Sequence, residues 1–257
     1  MSESEAAVLT ERRGNVLLIT LNRPDARNAV NAALAAGIAG ALDELDSDRA
    51  LALGVLTGAG KGFSAGMDLK AFVAGESAWV GDRGFAGIAQ RASSKPLIAA
   101  IEGFAVAGGF EIALGCDLIV AARGSRLGIP EVKRSLVAAG GALLRLPRRI
   151  PYHAAMELAL TGDPISAERG YELGIVNRLA EPGESVEAAL ALAGQIAVNA
   201  PLALIASKRI LELQWEWEGA EAWTLQREIV DPVFHSADAR EGATAFAEKR
   251  EPVWRGE

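Results

Sequence analysis

A chain of 257 residues, 50% of them hydrophobic, is long enough to bury a sizeable core, and its formal net charge of -7 argues against a nucleic-acid surface as its main business. A single cysteine, Cys116, excludes an intrachain disulfide and fits a reducing, cytoplasmic setting. The acidic start Met1-Ser2-Glu3-Ser4-Glu5 lacks the basic and apolar parts of a signal peptide, and no apolar run reaches membrane-spanning length, so no membrane insertion is expected.

In chain order, residues 8–10, the turn Arg13-Gly14-Asn15 and the apolar run 16–21 predict a hairpin ending at Asn22-Arg23-Pro24. Asn31 is placed to cap a helix whose Leu34, Ile38, Ala41, Leu42 and Leu45 recur at three-and-four spacing and form one buried face. Residues 51–56 read as a short buried strand, and the glycines of 57–62 make that stretch a loop. Residues 71–91 are expected to contain helix, but Gly75, Gly81, Gly84 and Gly87 mark them as the segment most apt to move. After Lys95-Pro96 come an apolar strand at 97–101, a glycine-rich run at 103–111, a helix through Leu114 and a strand at 118–121. From about Leu143 the pattern is mostly helical, with punctuation at Pro151, Gly162-Asp163-Pro164, Gly174, Pro182-Gly183 and Pro201. Residues 202–229 read as one long amphipathic segment whose Trp215, Trp217 and Trp223 fit packing or subunit contact better than a cofactor box. Strand, strand and helix recur at short spacing through the first half, and no linker separates two independent domains.

The run Gly103-Phe104-Ala105-Val106-Ala107-Gly108-Gly109-Phe110-Glu111 carries the strongest chemical signal. A glycine pair at a helix start leaves main-chain N–H groups free to face an oxyanion, and Glu111 follows within one turn to handle a proton. The loop Gly58 to Gly66 fits three patterns unequally. A phosphate loop fails, because Gly62 follows Lys61 and Val55 stands where the first glycine belongs. Gly62-Phe63-Ser64-Ala65-Gly66 satisfies the nucleophile-elbow pattern, which would make Ser64 the nucleophile of a hydrolase. Against this, a glycine loop separates Ser64 from its strand, and only His153 and His235 could serve a triad. The third reading makes Met67 N–H a second donor, converging with Gly108 on one carbonyl oxygen. Glu131, after Pro130, is the remaining acidic candidate; alone it would read as a surface carboxylate.

Taken together, Asn22-Arg23-Pro24 with Ala26-Arg27-Asn28-Ala29, Phe63-Ser64-Ala65-Gly66-Met67-Asp68-Leu69, Lys95-Pro96 and Ala107-Gly108-Gly109-Phe110-Glu111 resemble the enoyl-CoA hydratase/isomerase (crotonase) superfamily. Pro130-Glu131, Thr161-Gly162, Ala167 with Gly174-Ile175-Val176-Asn177, and Glu241-Gly242 with Ala245-Phe246-Ala247-Glu248-Lys249-Arg250 continue the series over nearly the whole chain. The resemblance implies an α/β fold, a crotonase-like spiral of ββα units over residues 1–193 with a helical C-terminal trimerisation region at 194–257. It also implies a homotrimer or dimer of trimers and an acyl-CoA thioester substrate, with coenzyme A part of that substrate and no metal or separate cofactor.

By position, Met67 and Gly108 match the two oxyanion-hole donors, while Glu111 and Glu131 match both carboxylates of true hydratases. Ala26, Arg27, Ala65, Asp68 and Leu69 match the CoA site, and Phe246 and Lys249 match C-terminal residues that reach CoA, often from a neighbouring subunit. The implied activity is that of a carbon–oxygen lyase of fatty acid metabolism, an enoyl-CoA hydratase. The alternatives are an isomerase or a dehydratase of an unusual acyl-CoA, then a Ser64 hydrolase, then a non-catalytic acyl-CoA-binding protein. Ala107 and Phe110 depart from the family pattern, as does Ala138-Ala139-Gly140-Gly141, and these departures bear on the acyl pocket, where Trp79 and Phe85 are also candidates. Gly-Gly-Phe-Glu, Leu144-Arg145-Leu146-Pro147 and Gly174-Ile175-Val176-Asn177-Arg178 lean towards the carnitinyl-CoA dehydratase branch.

Overall fold

The computed structural model describes residues 6–257, and the acidic start Met1-Ser2-Glu3-Ser4-Glu5 lies outside them. The N-terminal hairpin is present as β1 (Val8–Arg13) and β2 (Val16–Leu21), paired antiparallel from Val8↔Leu21 to Arg13↔Val16. In α1 (Ala32–Ser47) the Asn31 side chain accepts from Leu34 N–H, and Leu34, Ile38, Ala41, Leu42 and Leu45 are all buried. Each buried Leu or Ile of that stripe contributes on the order of 1.5–3 kcal/mol, enough to dock α1 on the sheet.

β3 (Leu53–Gly58) is shifted two residues from its expected place and takes Thr57 and Gly58 out of the glycine loop. Segment 71–91 holds little helix, which corrects the expectation. α2 (Leu69–Val73) ends at Val73, and β4 (Trp79–Val80), a 3-10 turn (Gly81–Arg83) and β5 (Gly84–Phe85) fill the rest. Strands of two residues show no alternation, and glycines supply the positive φ values at 75, 81, 84 and 87.

β6 (Leu97–Ile101), β7 (Phe104–Val106), α3 (Gly108–Gly115), β8 (Leu118–Ala122) and β9 (Arg126–Gly128) form the centre. β6 lies in the main sheet; two residues later β7 has turned into a second sheet, and α3 begins directly after it. Gly103 makes that corner at φ +60°, because a Cβ there would lie 2.1 Å from the Lys61 carbonyl oxygen. β8 and β9 repeat the step. Beyond them run α4 (Ala142–Arg149), α5 (Tyr152–Thr161), β10 (Ile165–Ser166), α6 (Ala167–Leu173), β11 (Arg178–Ala180), α7 (Ser185–Ala197), α8 (Pro201–Leu213), α9 (Glu221–Phe234) and α10 (Ala237–Glu248).

The main sheet has the order β1-β2-β3-β6-β8-β11 and is parallel from β2 onward; the second has the order β10-β9-β7. Parallel strands are buried on both faces, which explains their continuous apolar runs. Leu17, Ile19, Leu21, Leu56, Ala99 and Ile101 face the larger core with α1 and α3, while Val16, Leu18, Val55, Ile98 and Val120 face Ala189, Leu192 and Ala193 of α7. The fold is a mixed α/β spiral of strand–strand–helix units with a helical C-terminal region. Two readings of the second half need correction. Within the half read as mostly helical, β11 is an unplaced strand that joins the main sheet, and the segment 202–229 is broken between α8 and α9, where Gly219 turns at φ +50°. Among the described residues no single helix is long and apolar enough to cross a membrane.

Candidate active site

The loop 63–67 is held on both flanks like a strand. On one side Ser64 bridges Ala105 of β7, and Val106 N–H donates to Ser64 O at 3.1 Å. On the other, Met67 bridges Val30, through Val30 N–H to Gly66 O at 2.8 Å and Asp68 N–H to Val30 O at 2.9 Å. A residue between such bonds turns its own N–H away from that partner. Met67 N–H accordingly has no acceptor among the described residues, and neither has Gly108 N–H at the first turn of α3. The two lie close, since a Cβ on Gly66 would stand 2.7 Å from Gly108 N. Asn28, fully buried, anchors the loop's approach: its amide donates to Ala59 O and Gly62 O, both at 2.9 Å, and its Oδ1 accepts from Arg23 N–H.

Ala107 delivers Gly108 at a cost. It sits at φ +53°, ψ −134°, a conformation glycine adopts freely and alanine does not, with a strain of about 1–3 kcal/mol. Its N–H donates to Gly128 O and its carbonyl accepts from Phe110 and Glu111, which holds it there. Phe110, the other departure on this stretch, is fully buried in the main core.

Glu111 is 3% exposed, and its Oε1 accepts from Ala142 N–H at 3.1 Å. Burial raises its pKa, while the main-chain N–H groups of Ala142 and Gly140 and the charge of Arg145 pull it back down. Glu131 stands on the 3-10 turn Pro130–Arg134, and its buried Oε2 accepts nothing among the described residues. Its pKa is pushed up to about 7, chiefly by burial; its own main-chain N–H opposes this and the charge of Glu111 adds to it. The two carboxylates are thus in electrostatic reach of each other and differ in what holds them. Phe85 closes one wall: its ring lies where a Cβ on Gly108 would meet it at 2.6 Å and one on Gly140 at 3.1 Å. Trp79 packs on it edge to face with centroids 5.2 Å apart.

Two clefts flank the loop. One, of about 240 Å³, is lined by Met67, Asp68, Phe72, Glu76 and Trp79 among others; the second, of about 360 Å³, is lined by Arg27, Ala65, Val106, Arg126 and Pro130 among others. A pair of free N–H donors beside two carboxylates of unequal proton affinity can polarise a carbonyl and move protons at the carbons next to it.

The model of the enoyl-CoA hydratase/isomerase family matches residues 11–257. The chain belongs to that family. An enoyl-CoA hydratase of Mycobacterium tuberculosis is 42% identical over 97% of both chains, and a carnitinyl-CoA dehydratase of Salmonella heidelberg is also 42% identical, over 98% of this chain and 99% of its own. A crystal structure of an enoyl-CoA hydratase from Mycobacterium tuberculosis superposes with a TM-score of 0.96 at 58% identity, covering 98% of this chain and 100% of that one.

Of the residues singled out for this family's chemistry, the fold places Met67 by Gly108 through Gly66, sets Glu111 against Gly140 behind the same Phe85 ring that meets Gly108, and brings Glu131 within electrostatic reach of Glu111, with Ala65 and Arg27 in the larger cleft. Ala26 ends the 3-10 turn beside them, and Leu69 opens α2 with its side chain exposed. Asp68 is engaged within the fold: it caps α2 by accepting from Lys70 and Ala71 N–H and pairs with Arg23 at 3.1 Å. Phe246 is 88% exposed on α10, and Lys249 follows that helix; neither lines the two clefts. The elbow reading of Ser64 fails, since its Oγ is fully buried and donates to Asn28 O at 2.8 Å, while both histidines are exposed. Gly66 and Gly140 were named from the sequence only within longer motifs, without their part in exposing a donor or facing Glu111, and Ala142, whose N–H holds Glu111, was not named. The glycine pair 140–141 directly before a helix is the signal that points to the Ala142 N–H.

Proposed function

We propose that this enzyme adds water reversibly to the double bond of a 2-enoyl-CoA thioester. The observation that carries the reading is the unequal carboxylate pair, Glu111 held by Ala142 N–H and Glu131 with its buried Oε2 unsatisfied among the described residues, together with two free N–H donors. Met67 and Gly108 N–H form the oxyanion hole and receive the thioester oxygen, each worth about 2.7–4 kcal/mol as charge moves onto it. The β-carbon becomes electrophilic, Glu111 takes a proton from water as its oxygen bonds there, and Glu131 gives its proton to the α-carbon as the enolate collapses. One proton between the two carboxylates suits this division: burial pushes Glu131 up to about 7, while the N–H groups of Ala142 and Gly140 and the charge of Arg145 oppose the rise that burial gives Glu111.

Coenzyme A arrives as part of the substrate, along Ala26, Arg27, Ala65, Asp68 and Leu69, and no other cofactor takes part. A homotrimer or dimer of trimers in the cytoplasm completes the reading, residues 194–257 supplying the contacts and Phe246 and Lys249 reaching a neighbour's CoA. Exposed Leu211, Trp215, Trp223, Phe234 and Phe246 on and around α8 to α10 support an assembled face. The test is a panel of 2-enoyl-CoA thioesters followed by loss of conjugated absorbance and gain of the 3-hydroxyacyl product. CoA-thioester binding with no turnover overturns the proposal, and a shifted double bond replaces it with isomerisation.

A second reading, dehydration of a hydroxyacyl-CoA with a cationic end, is favoured by the acidic and aromatic lining of the smaller cleft, Glu76, Phe72 and Trp79. The equal identity to the carnitinyl-CoA dehydratase agrees with it. Carnitinyl-CoA in the same panel decides between them.

A further inference from the structure

Glu111 has a cation behind it that the reaction as proposed does not use. Gly140 and Gly141 form a thin partition. A Cβ on Gly140 would stand 2.6 Å from Glu111 Oε2, and a Cβ on Gly141 would stand 2.1 Å from Arg145 Nη1. The carboxylate and the guanidinium therefore lie against adjacent residues of one turn. Arg145 does not pair with a carboxylate among the described residues. It donates to Ala89 O at 2.6 Å and, at the long distance of 3.5 Å, to Gly140 O. Ala89 lies four residues beyond Phe85, so one side chain ties the Phe85 wall to the turn whose Ala142 N–H holds Glu111.

A half-buried arginine spent on two neutral carbonyls costs desolvation with no carboxylate paired to it in return, and its geometry or its field is what that cost supports. The fork of the guanidinium suits two divergent carbonyls, which a lysine ammonium matches poorly. We propose that Arg145 is a positioning residue, clamping the turn of residues 140–142 onto Glu111 and keeping that carboxylate in the charge state in which it accepts a proton. The inference rests on the hydratase reading above. The charged groups facing the pair are Glu131 on its 3-10 turn, Arg149 on α4 and Glu212 on α8; the Cys116 thiol, raised by burial, stays neutral. Arg145 is the cation acting on Glu111, and the direction of its effect agrees with the proposal.

The test compares wild type, Arg145→Met and Arg145→Lys in the pH dependence of kcat and KM for a four-carbon 2-enoyl-CoA. With Met, the acid limb of kcat/KM is expected to move up by about one pH unit and kcat to fall by about 10- to 100-fold, with KM within about twofold. Lys is expected to return the limb to the wild-type position while kcat stays depressed, because charge is restored and the bridge is not. A Met variant that loses thermal stability but keeps the wild-type limb and kcat per folded enzyme overturns the inference. If Met does not fold, a Lys variant with wild-type kcat overturns it equally. An inactive wild-type enzyme instead fails the hydratase reading and is told apart by that alone.

Discussion

Glu111 and Glu131 are the same side chain placed by different local structures, and the contrast is what the proposed division of work rests on. Glu111 sits in the first turn of a helix, enclosed, with N–H donors on its carboxylate and Arg145 behind it. The N–H donors and Arg145 stabilise the anion, so burial raises its pKa against resistance. Glu131 sits on a 3-10 turn after Pro130, with one oxygen buried and unsatisfied. Little resists burial there, and the charge of Glu111 adds to it, so Glu131 keeps its proton up to about pH 7. A carboxylate provided with donors becomes a base, and one deprived of them an acid.

The strongest way to break this comparison is to remove the charge at each site. Glu111→Gln and Glu131→Gln are each expected to lower kcat by about 10²–10⁴ while CoA-thioester affinity changes little, because the general acid or base is lost and the binding surface is not. The variants differ in a second readout. In Glu111→Gln the charge that raises Glu131 is gone, so Glu131 titrates lower than in wild type, measurable by NMR of the labelled carboxyl. Near-normal hydration in either variant ends the assignment.

A Cβ at two glycines separates the donor pair from the carboxylate. Gly66→Ala puts a methyl group 2.7 Å from Gly108 N at a backbone of φ +88°. It covers a main-chain donor that cannot move away, so kcat per folded enzyme is expected to fall by about 10²–10³. Gly140→Ala instead meets the end of the Glu111 side chain, which can swing aside, and about a tenfold loss is expected. Equal losses at the two positions would show that the partition at 140 is as rigid as the donor pair.

pH sharpens the contrast at smaller cost. The proposed mechanism uses protonated Glu131, whose carboxyl loses its proton through about pH 7, so kcat/KM is expected to fall about tenfold per unit above that. The limb should vanish from the residual activity of Glu131→Gln; a limb that persists there belongs to another group.

How much of this was legible differs along the chain for physical reasons. β2, α1 and β6 could be read because burial on two faces or one leaves a run or a stripe, and Asn31 signed the start of α1. Met67, Gly108, Glu111 and Glu131 were named from motif order, yet nothing local places residue 67 beside 108; that contact exists because β7 and the segment ending at Val30 clasp one loop. The two-residue strands β4 and β5 carry no period, and β11 is three residues long, its place set by parallel pairing with β8. Arg145 was visible as a residue but not as a function, because its meaning depends on what stands across Gly140 and Gly141.

The smallest expected effect tests whether the unsatisfied Glu131 weakens the fold it serves. Its folded pKa of about 7 lies above the ordinary 4.5, so the stability linked to its proton is fully present below 4.5 and is lost as pH rises through 7. Glutamine cannot ionise and does not follow that loss. The Tm of Glu131→Gln relative to wild type is therefore expected to rise by about 2 °C between pH 4.5 and pH 8, reduced from the full linkage value because the group is partly solvated. The change with pH is the quantity to measure, since a fixed offset at all pH values reports only how the amide packs. A difference that does not grow with pH would mean that Glu131 ionises as readily in the folded protein as outside it, and the asymmetry of the two carboxylates would then lie in Glu111 alone.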